Sequence, residues 1–121
     1  MIYTTYFANL RKMPEDIIPV AVCRKCPSWW SDLIYETLAP SSSDFYRYKT
    51  TGNMSEFVEA YQRNTLYRLD QHAVLEELHT LTGSENIALV CYEKPTEFCH
   101  RHVLGLWMEQ AGIPCPEYPV K

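Results

Sequence analysis

Ile87–Arg101 reads I-A-L-V-C-Y-E-K-P-T-E-F-C-H-R, and this stretch decides the fold. Its apolar opening is continuous, not alternating, which is the pattern of a strand covered on both faces of a parallel sheet. The strand is expected over Asn86–Glu93. A helix is expected over Thr96–Ala111, with Thr96 as its cap and Gly112 as its stop. Strand, short charged connection and helix form the unit at which α/β sheets bind ligands, outside the carboxyl ends of the strands.

Working outward, Tyr3–Phe7 is rich in β-formers and reads as a first strand. Ile17–Cys23 (I-I-P-V-A-V-C) reads as a second strand, apolar enough to be buried on both faces. A helix is expected over Trp29–Leu38, stopped by Pro40. Ser41–Asn53 reads as a long polar and aromatic loop, either a surface connection pinned by its rings or a lid over a site. A helix over Ser55–Leu66 places Met54, Phe57, Val58, Tyr61 and Thr65 on one face, with Asn53 and Glu56 spaced as a capping box. Asp70 caps a further helix with Val74, Leu75, Leu78 and Leu81 turned inward, and Gly83 ends it. His72 and His79 are two turns apart on that helix, too far for one metal ion, and read as surface histidines. Cys115–Val120 is a last short strand or a tail. Strands separated by helices imply an α/β, three-layer, mostly parallel sheet flanked by helices, Rossmann-like in plan.

The chain has 121 residues, 46% of them hydrophobic, and a formal net charge of −4. That length fits one domain over residues 1–121 with a true core. No apolar run is long enough to span a membrane, and the first residues read as a strand and not as a signal peptide. Five cysteines, an odd number, suit thiols in a reducing compartment, so a cytoplasmic location is expected. The acidic balance argues against a nucleic-acid footprint built on phosphate contacts. The basic pairs Arg11–Lys12, Arg24–Lys25 and Arg47/Lys49 suit a small anion, or simply a solvated surface.

If the strands are parallel, Asn9 and Arg11 after strand one, Cys23, Arg24 and Lys25 after strand two, and Glu93 and Lys94 after strand three converge on one sheet edge. On the expected last helix, Cys99 falls in the first turn, where the helix dipole lowers a thiol pKa. It also shares a face with Val103 and Leu106, as a buried small hydrophobe does. Arg101 requires a compensating anion so near a helix start: a carboxylate, with Glu93 or Glu97 as the candidates, or a bound phosphate. His100 suits an anion donor, an acid/base group or a packing histidine. Cys91 reads as a core cysteine. Cys23-Arg-Lys-Cys26 has the layout of a thiol redox pair between strand and helix, and a zinc site there would need two further ligands.

Several chemistries are excluded by pattern. The chain has no G-x-x-x-x-G-K, G-x-G-x-x-G, H-E-x-x-H or G-x-S-x-G. A cysteine-phosphatase loop would need an arginine six positions after its cysteine. Those positions hold Glu97 after Cys91 and Gly105 after Cys99.

Leu89–His102, L-V-C-Y-E-K-P-T-E-F-C-H-R-H, resembles the signature of domain-of-unknown-function family 488, small bacterial and phage proteins. There a strand ending in C-x-E leads to a helix opening with C-H-R. The opening Y-T-T-Y-F-A-N-L-R-K-M-P, the P-S-W-W, the Y-E-T-L-A-P-S and the Y-K-T-T-G blocks are also similar to the family's. The resemblance implies a compact α/β domain with a site around Glu93, Cys99, His100 and Arg101, and it implies no particular reaction. The C-x-x-C of Cys23 and Cys26 departs from the family pattern.

The expectation is therefore an enzyme or binding protein that recognises a nucleotide-like or phosphorylated small anion at the strand ends. Glu93, Cys99, His100 and Arg101 are the expected catalytic set, with Glu93 or His100 as acid/base and Cys99 positioning or attacking. Asn9, Arg11, Arg24, Arg47 and Lys49 are the expected ligand-binding set, and no metal ligands or cofactor are assigned. The alternatives are a non-enzymatic interaction module, with a buried Glu93–Arg101 pair and Phe45–Lys49 as a contact surface, or a metal or redox site on Cys23 and Cys26.

Overall fold

A computed structural model of the chain describes residues 1–92 and 100–119. Three strands form one sheet in the order β1-β3-β2: β1 (Ile2–Tyr6), β2 (Ile18–Ala21) and β3 (Ile87–Cys91). All pairings are parallel, with Ile87 in register with both Ile2 and Ile18. The architecture is thus α/β, a parallel sheet flanked by helices, as the alternation of strand and helix patterns implies. β3 lies between the other two, and its five residues are all buried, which is why it reads as an unbroken apolar run. β2 is an edge strand of this sheet and tolerates Pro19, whose missing N–H removes no bond to β3 that the sheet interior would need.

The helices are α1 (Ser42–Thr51), α2 (Met54–Asn64), α3 (Gln71–Thr82) and α4 (His100–Gln110). Asn53 and Asp70 accept from the backbone N–H groups of Glu56 and Ala73, so the expected caps of α2 and α3 are formed. Gly83 closes α3 in the left-handed conformation, with φ 68°. The larger core joins Ile2, Val20, Val22, Ile87 and Leu89 of the sheet to Leu38, Tyr61, Leu66, Leu78, Leu104, Trp107 and Met108. A smaller cluster holds Phe7, Ala21, Cys23, Val90 and Cys91, with Leu10, Cys26 and Trp30 against it. Among the described residues no helix is long and apolar enough to cross a membrane.

Three expectations are corrected. Trp29–Leu38 is not a helix. Its backbone runs beside β2, with Ala21 N–H donating to Leu33 O at 2.9 Å and Tyr35 N–H to Ala21 O at 2.8 Å, and only Glu36–Leu38 turns as a short 3-10 helix. The open edge of β2 captured this segment, and two ladder bonds outweigh a weak local helix preference. Ser41–Asn53 is not a loop: it contains α1, capped by the Ser41 hydroxyl on Asp44 N–H at 3.1 Å and closed by Gly52 at φ 68°. Leu81 does not turn inward; it is 53% exposed, whereas Val74 and Leu78 are buried.

The tail also finds an edge. Thr4 N–H donates to Pro116 O at 3.0 Å and Tyr118 N–H to Thr4 O at 2.7 Å, so residues 116–118 lie along β1. Gly105 of α4 allows this approach, since a Cβ there would meet the Cys115 carbonyl oxygen at 3.3 Å.

Candidate functional site

The parallel pairing puts the carboxyl ends of all three strands on one edge of the sheet. Over the ends of β2 and β3 lies a cavity of about 410 Å3, within the size range of small-molecule sites. Its wall is built by three pieces of chain. The turn after β2 contributes Cys23, Arg24 and Lys25; α1 and α2 contribute Phe45, Tyr48, Lys49 and Phe57; the floor is formed by Cys91 and His100. Three of these residues are cationic, and no aspartate or glutamate is among the described residues of the wall. A chain of net charge −4 therefore concentrates positive charge at one concave place.

The basic side chains are oriented by their neighbours. Arg24 Nε donates to Pro40 O at 3.0 Å, and its Nη1 approaches Glu36 Oε2 at 3.4 Å. Lys49 Nζ sits 5.2 Å from the centre of the Phe45 ring, a cation–π arrangement. Tyr48 stacks on Phe57 with centroids 4.8 Å apart, and Phe57 stacks on Tyr61 at 6.2 Å. The cavity thus offers aromatic faces beside cations.

His100, the first described residue of α4, is buried. Its Nε2 lies 2.7 Å from Val22 O, and its Nδ1 lies 3.7 Å from Cys91 Sγ. A carbonyl oxygen only accepts, so Nε2 carries a proton. The ring packs edge-on to Tyr61 at 5.5 Å, and the Tyr61 hydroxyl donates to Leu38 O at 2.6 Å. Cys91 next to His100 escaped the sequence reading, which took Cys91 for core. The available signal was its place as the last residue of the central strand.

Arg101 turns away from the cavity wall. It is completely buried, and its Nε and Nη2 donate to the two carboxylate oxygens of Glu117 at 3.2 and 3.0 Å. Its guanidinium also lies 5.6 Å from the Tyr6 ring centre. Glu117 Oε1 in addition accepts from the Thr4 hydroxyl at 2.8 Å. The carboxylate partner foreseen for this arginine is thus Glu117, sixteen residues onward, brought in by the tail along β1. Glu93 and Glu97, the partners expected from sequence, lie outside the described residues, as does Cys99. The face proposed through Cys99, Val103 and Leu106 does not hold as an inward one: Val103 is buried, but Leu106 is 64% exposed.

The remaining expected ligand residues are scattered. Asn9 is buried, and its amide donates to Thr5 Oγ1 at 3.2 Å and to Tyr118 O at 2.9 Å, which ties β1 to the tail. Arg11 is exposed on the 3-10 helix Phe7–Lys12. Arg47 pairs with Glu56 at 3.6 Å, on the side of α1 away from the cavity wall. Arg24 and Lys49 are brought together; Lys25, expected at the same strand end, joins them, as do Tyr48 and Phe57, which the sequence placed on a loop and on a packing face.

Cys23 and Cys26 stand with their sulfurs 4.0 Å apart, a contact and not a disulfide, and Cys23 Sγ donates to Lys25 O at 3.2 Å. Burial pushes the Cys26 thiol up from its ordinary value, opposite to what an attacking thiolate of a redox pair needs. Among the described residues no group of three or more histidine, cysteine or acidic side chains is arranged to hold a metal ion.

Neither the curated proteins nor the solved structures contain a match to this chain. A family model described as "Active DUF488-N3 subclade" matches residues 5–112, a span that takes in the end of β1, all of β2 and β3, and α1 to α4 as described. The strand-end signature and this match over most of the sequence agree, and the chain belongs to the DUF488 family.

Proposed function

We propose that the protein recognises a small anion bearing a planar ring, a nucleotide-like or phosphorylated molecule, in the cavity over β2 and β3. The observation that carries this reading is the wall itself: Arg24, Lys25 and Lys49 beside the Phe45, Tyr48 and Phe57 rings, with no carboxylate among its described lining residues and only an exposed 3.4 Å contact from Glu36 to Arg24. Phosphate oxygens are matched by guanidinium and ammonium donors, and a flat ring is matched by aromatic faces. His100 stands at the floor as the acid/base group of such a site. Arg101 is removed from the anion-holding set because Glu117 already neutralises it.

Thermal unfolding in the presence of AMP, ribose 5-phosphate and inorganic phosphate tests the reading. Binding raises the midpoint, and at a ligand concentration of about 100 times Kd the stabilisation is about 2.7 kcal/mol. AMP should act at lower concentration than ribose 5-phosphate, because only AMP brings a ring to the aromatic wall. Lys49→Ala should weaken both. A wild-type protein whose midpoint ignores all three compounds would remove the proposal.

A second reading, a dithiol on Cys23 and Cys26, is favoured by the 4.0 Å sulfur separation. Glutathione disulfide would oxidise the pair by taking up its two protons and two electrons. Peptide mapping that finds no Cys23–Cys26 link after this treatment would dismiss it.

A further inference from the structure

The cavity floor is a nucleophile next to a base. We infer that Cys91 attacks the bound molecule with His100 as its base, and that the group it takes is an acyl group carried as an ester or thioester on an anionic, phosphorylated carrier. This rests on the reading of the cavity as an anion site and names the chemistry at its floor.

The geometry comes from three separate segments. Cys91 ends β3; Val22 directly follows β2; His100 begins the described part of α4. Val22 N–H donates to Val90 O at 3.0 Å, so the Val22 carbonyl is fixed relative to the strand that carries the thiol. His100 Nε2–H donates to that carbonyl at 2.7 Å, which leaves Nδ1, 3.7 Å from Cys91 Sγ, to accept the thiol proton. Nucleophile, base and an acceptor that fixes the base's tautomer make up the arrangement by which thiols are activated. Here a backbone carbonyl takes the orienting role. Cys91 and His100 both reach the cavity wall, while Arg24, Lys25 and Lys49 lie elsewhere on the same wall, placed for the carrier's charge.

The thiol proton moves to Nδ1 as the Sγ–C bond forms at the acyl carbon. The bond from that carbon to the carrier's oxygen or sulfur breaks, and the proton on Nδ1 passes to the departing atom. The products are a Cys91 thioester and the protonated carrier. Water then attacks the thioester carbon, releasing a carboxylic acid and restoring the thiol, with no net oxidation. Attack at phosphorus is disfavoured because the arginine that embraces a transferring phosphoryl group is replaced by Glu97 at the required spacing.

Other thiols serve as internal controls. Cys26 is the more exposed, while Cys91 is only 3% exposed and lines the cavity. The folded protein is treated with iodoacetamide at neutral pH, and each cysteine peptide is followed by mass spectrometry. Cys91 should label at least about tenfold faster than Cys26. His100→Gln keeps an amide to donate towards Val22 but loses the base, and it should slow Cys91 by at least about tenfold while Cys26 is unchanged. Acetyl-coenzyme A, a thioester on a nucleotide carrier, should acetylate Cys91 and, as water clears the thioester, release free coenzyme A, faster in the wild type than in His100→Gln. Cys91 reacting more slowly than Cys26, or only after urea is added, overturns the inference without recourse to a variant. Alkylation of Cys91 with neither an acetyl adduct nor released coenzyme A overturns the acyl chemistry. AMP-dependent stabilisation measured on the same samples separates the two claims. Stabilisation with an inert Cys91 refutes the nucleophile and keeps the anion site; a fast Cys91 without stabilisation by any phosphate compound does the opposite.

Discussion

Arg101 was conspicuous in the sequence as a cation near a helix start that requires a compensating anion, and its burial without charge compensation would cost several kcal/mol. The compensation is Glu117, held in turn by Thr4. The need for a carboxylate was legible from Arg101 alone; its identity was not, because sixteen residues separate the pair and only the pairing of the tail with β1 closes the distance. Arg101→Ala should lower unfolding free energy by about 3 kcal/mol, as for other buried pairs broken on one side. Urea unfolding measures this, and a loss below about 1 kcal/mol, the level of an exposed pair, would contradict a structural role. AMP binding to the folded fraction of that variant should be unchanged, since Arg101 does not line the cavity.

At the scale of elements, α1 matters most. Its sequence S-S-D-F-Y-R-Y-K-T-T mixes β-branched, aromatic and small polar residues, each of modest helix propensity, so a loop was the natural reading. The overlooked signal was Ser41 three residues before Asp44, an N-cap spacing, with Gly52 to close the helix. That cap positions Phe45, Tyr48 and Lys49 over the cavity. Ser41→Ala should cost about 1 kcal/mol of stability and should also weaken AMP binding, because the aromatic wall and its lysine ride on α1. Titration calorimetry on the folded variant checks the second part, and an unchanged affinity would detach α1 from the site. The opposite error, a helix expected where Leu33–Tyr35 pairs with Ala21, has a tertiary cause. An exposed strand edge offers backbone bonds to whichever segment reaches it, and no local pattern in that segment announces the edge.

For the whole molecule, the buried proton-bearing groups predict how stability depends on alkaline pH. Burial, reinforced by Glu109 and Glu117, pushes the Cys115 thiol up from 9.0 to about 12. Burial and its hydrogen bond to Glu77 push the Tyr35 hydroxyl up from 10.0 to about 12. In both cases the folded state holds the proton more tightly than the unfolded chain, so their contribution is complete below about pH 9. It declines as pH rises and is lost through about pH 12. Urea midpoints should therefore fall steadily between pH 9 and 12, and Cys115→Ala should delay the onset towards the Tyr35 range, from 10.0 upward. A midpoint that stays flat over that interval would contradict the placement of both groups.

The sequence by itself determined the parallel α/β plan, the presence of the three strands and the caps of α2 and α3. These depend on hydrophobic period and on hydrogen bonds that span only a few residues, so they are local properties of the chain. Tertiary structure alone decided which side chains meet. It set Cys91 against His100, Arg101 against Glu117, and Arg24 and Lys25 opposite Lys49. The cations of the wall and the Arg101–Glu117 pair join separate segments, brought together by the parallel crossover and the docking of the tail, whereas Cys91 and His100 are nine residues apart and meet through the packing of α4 on β3. Their energies depend on burial and distance that exist only once the sheet has formed.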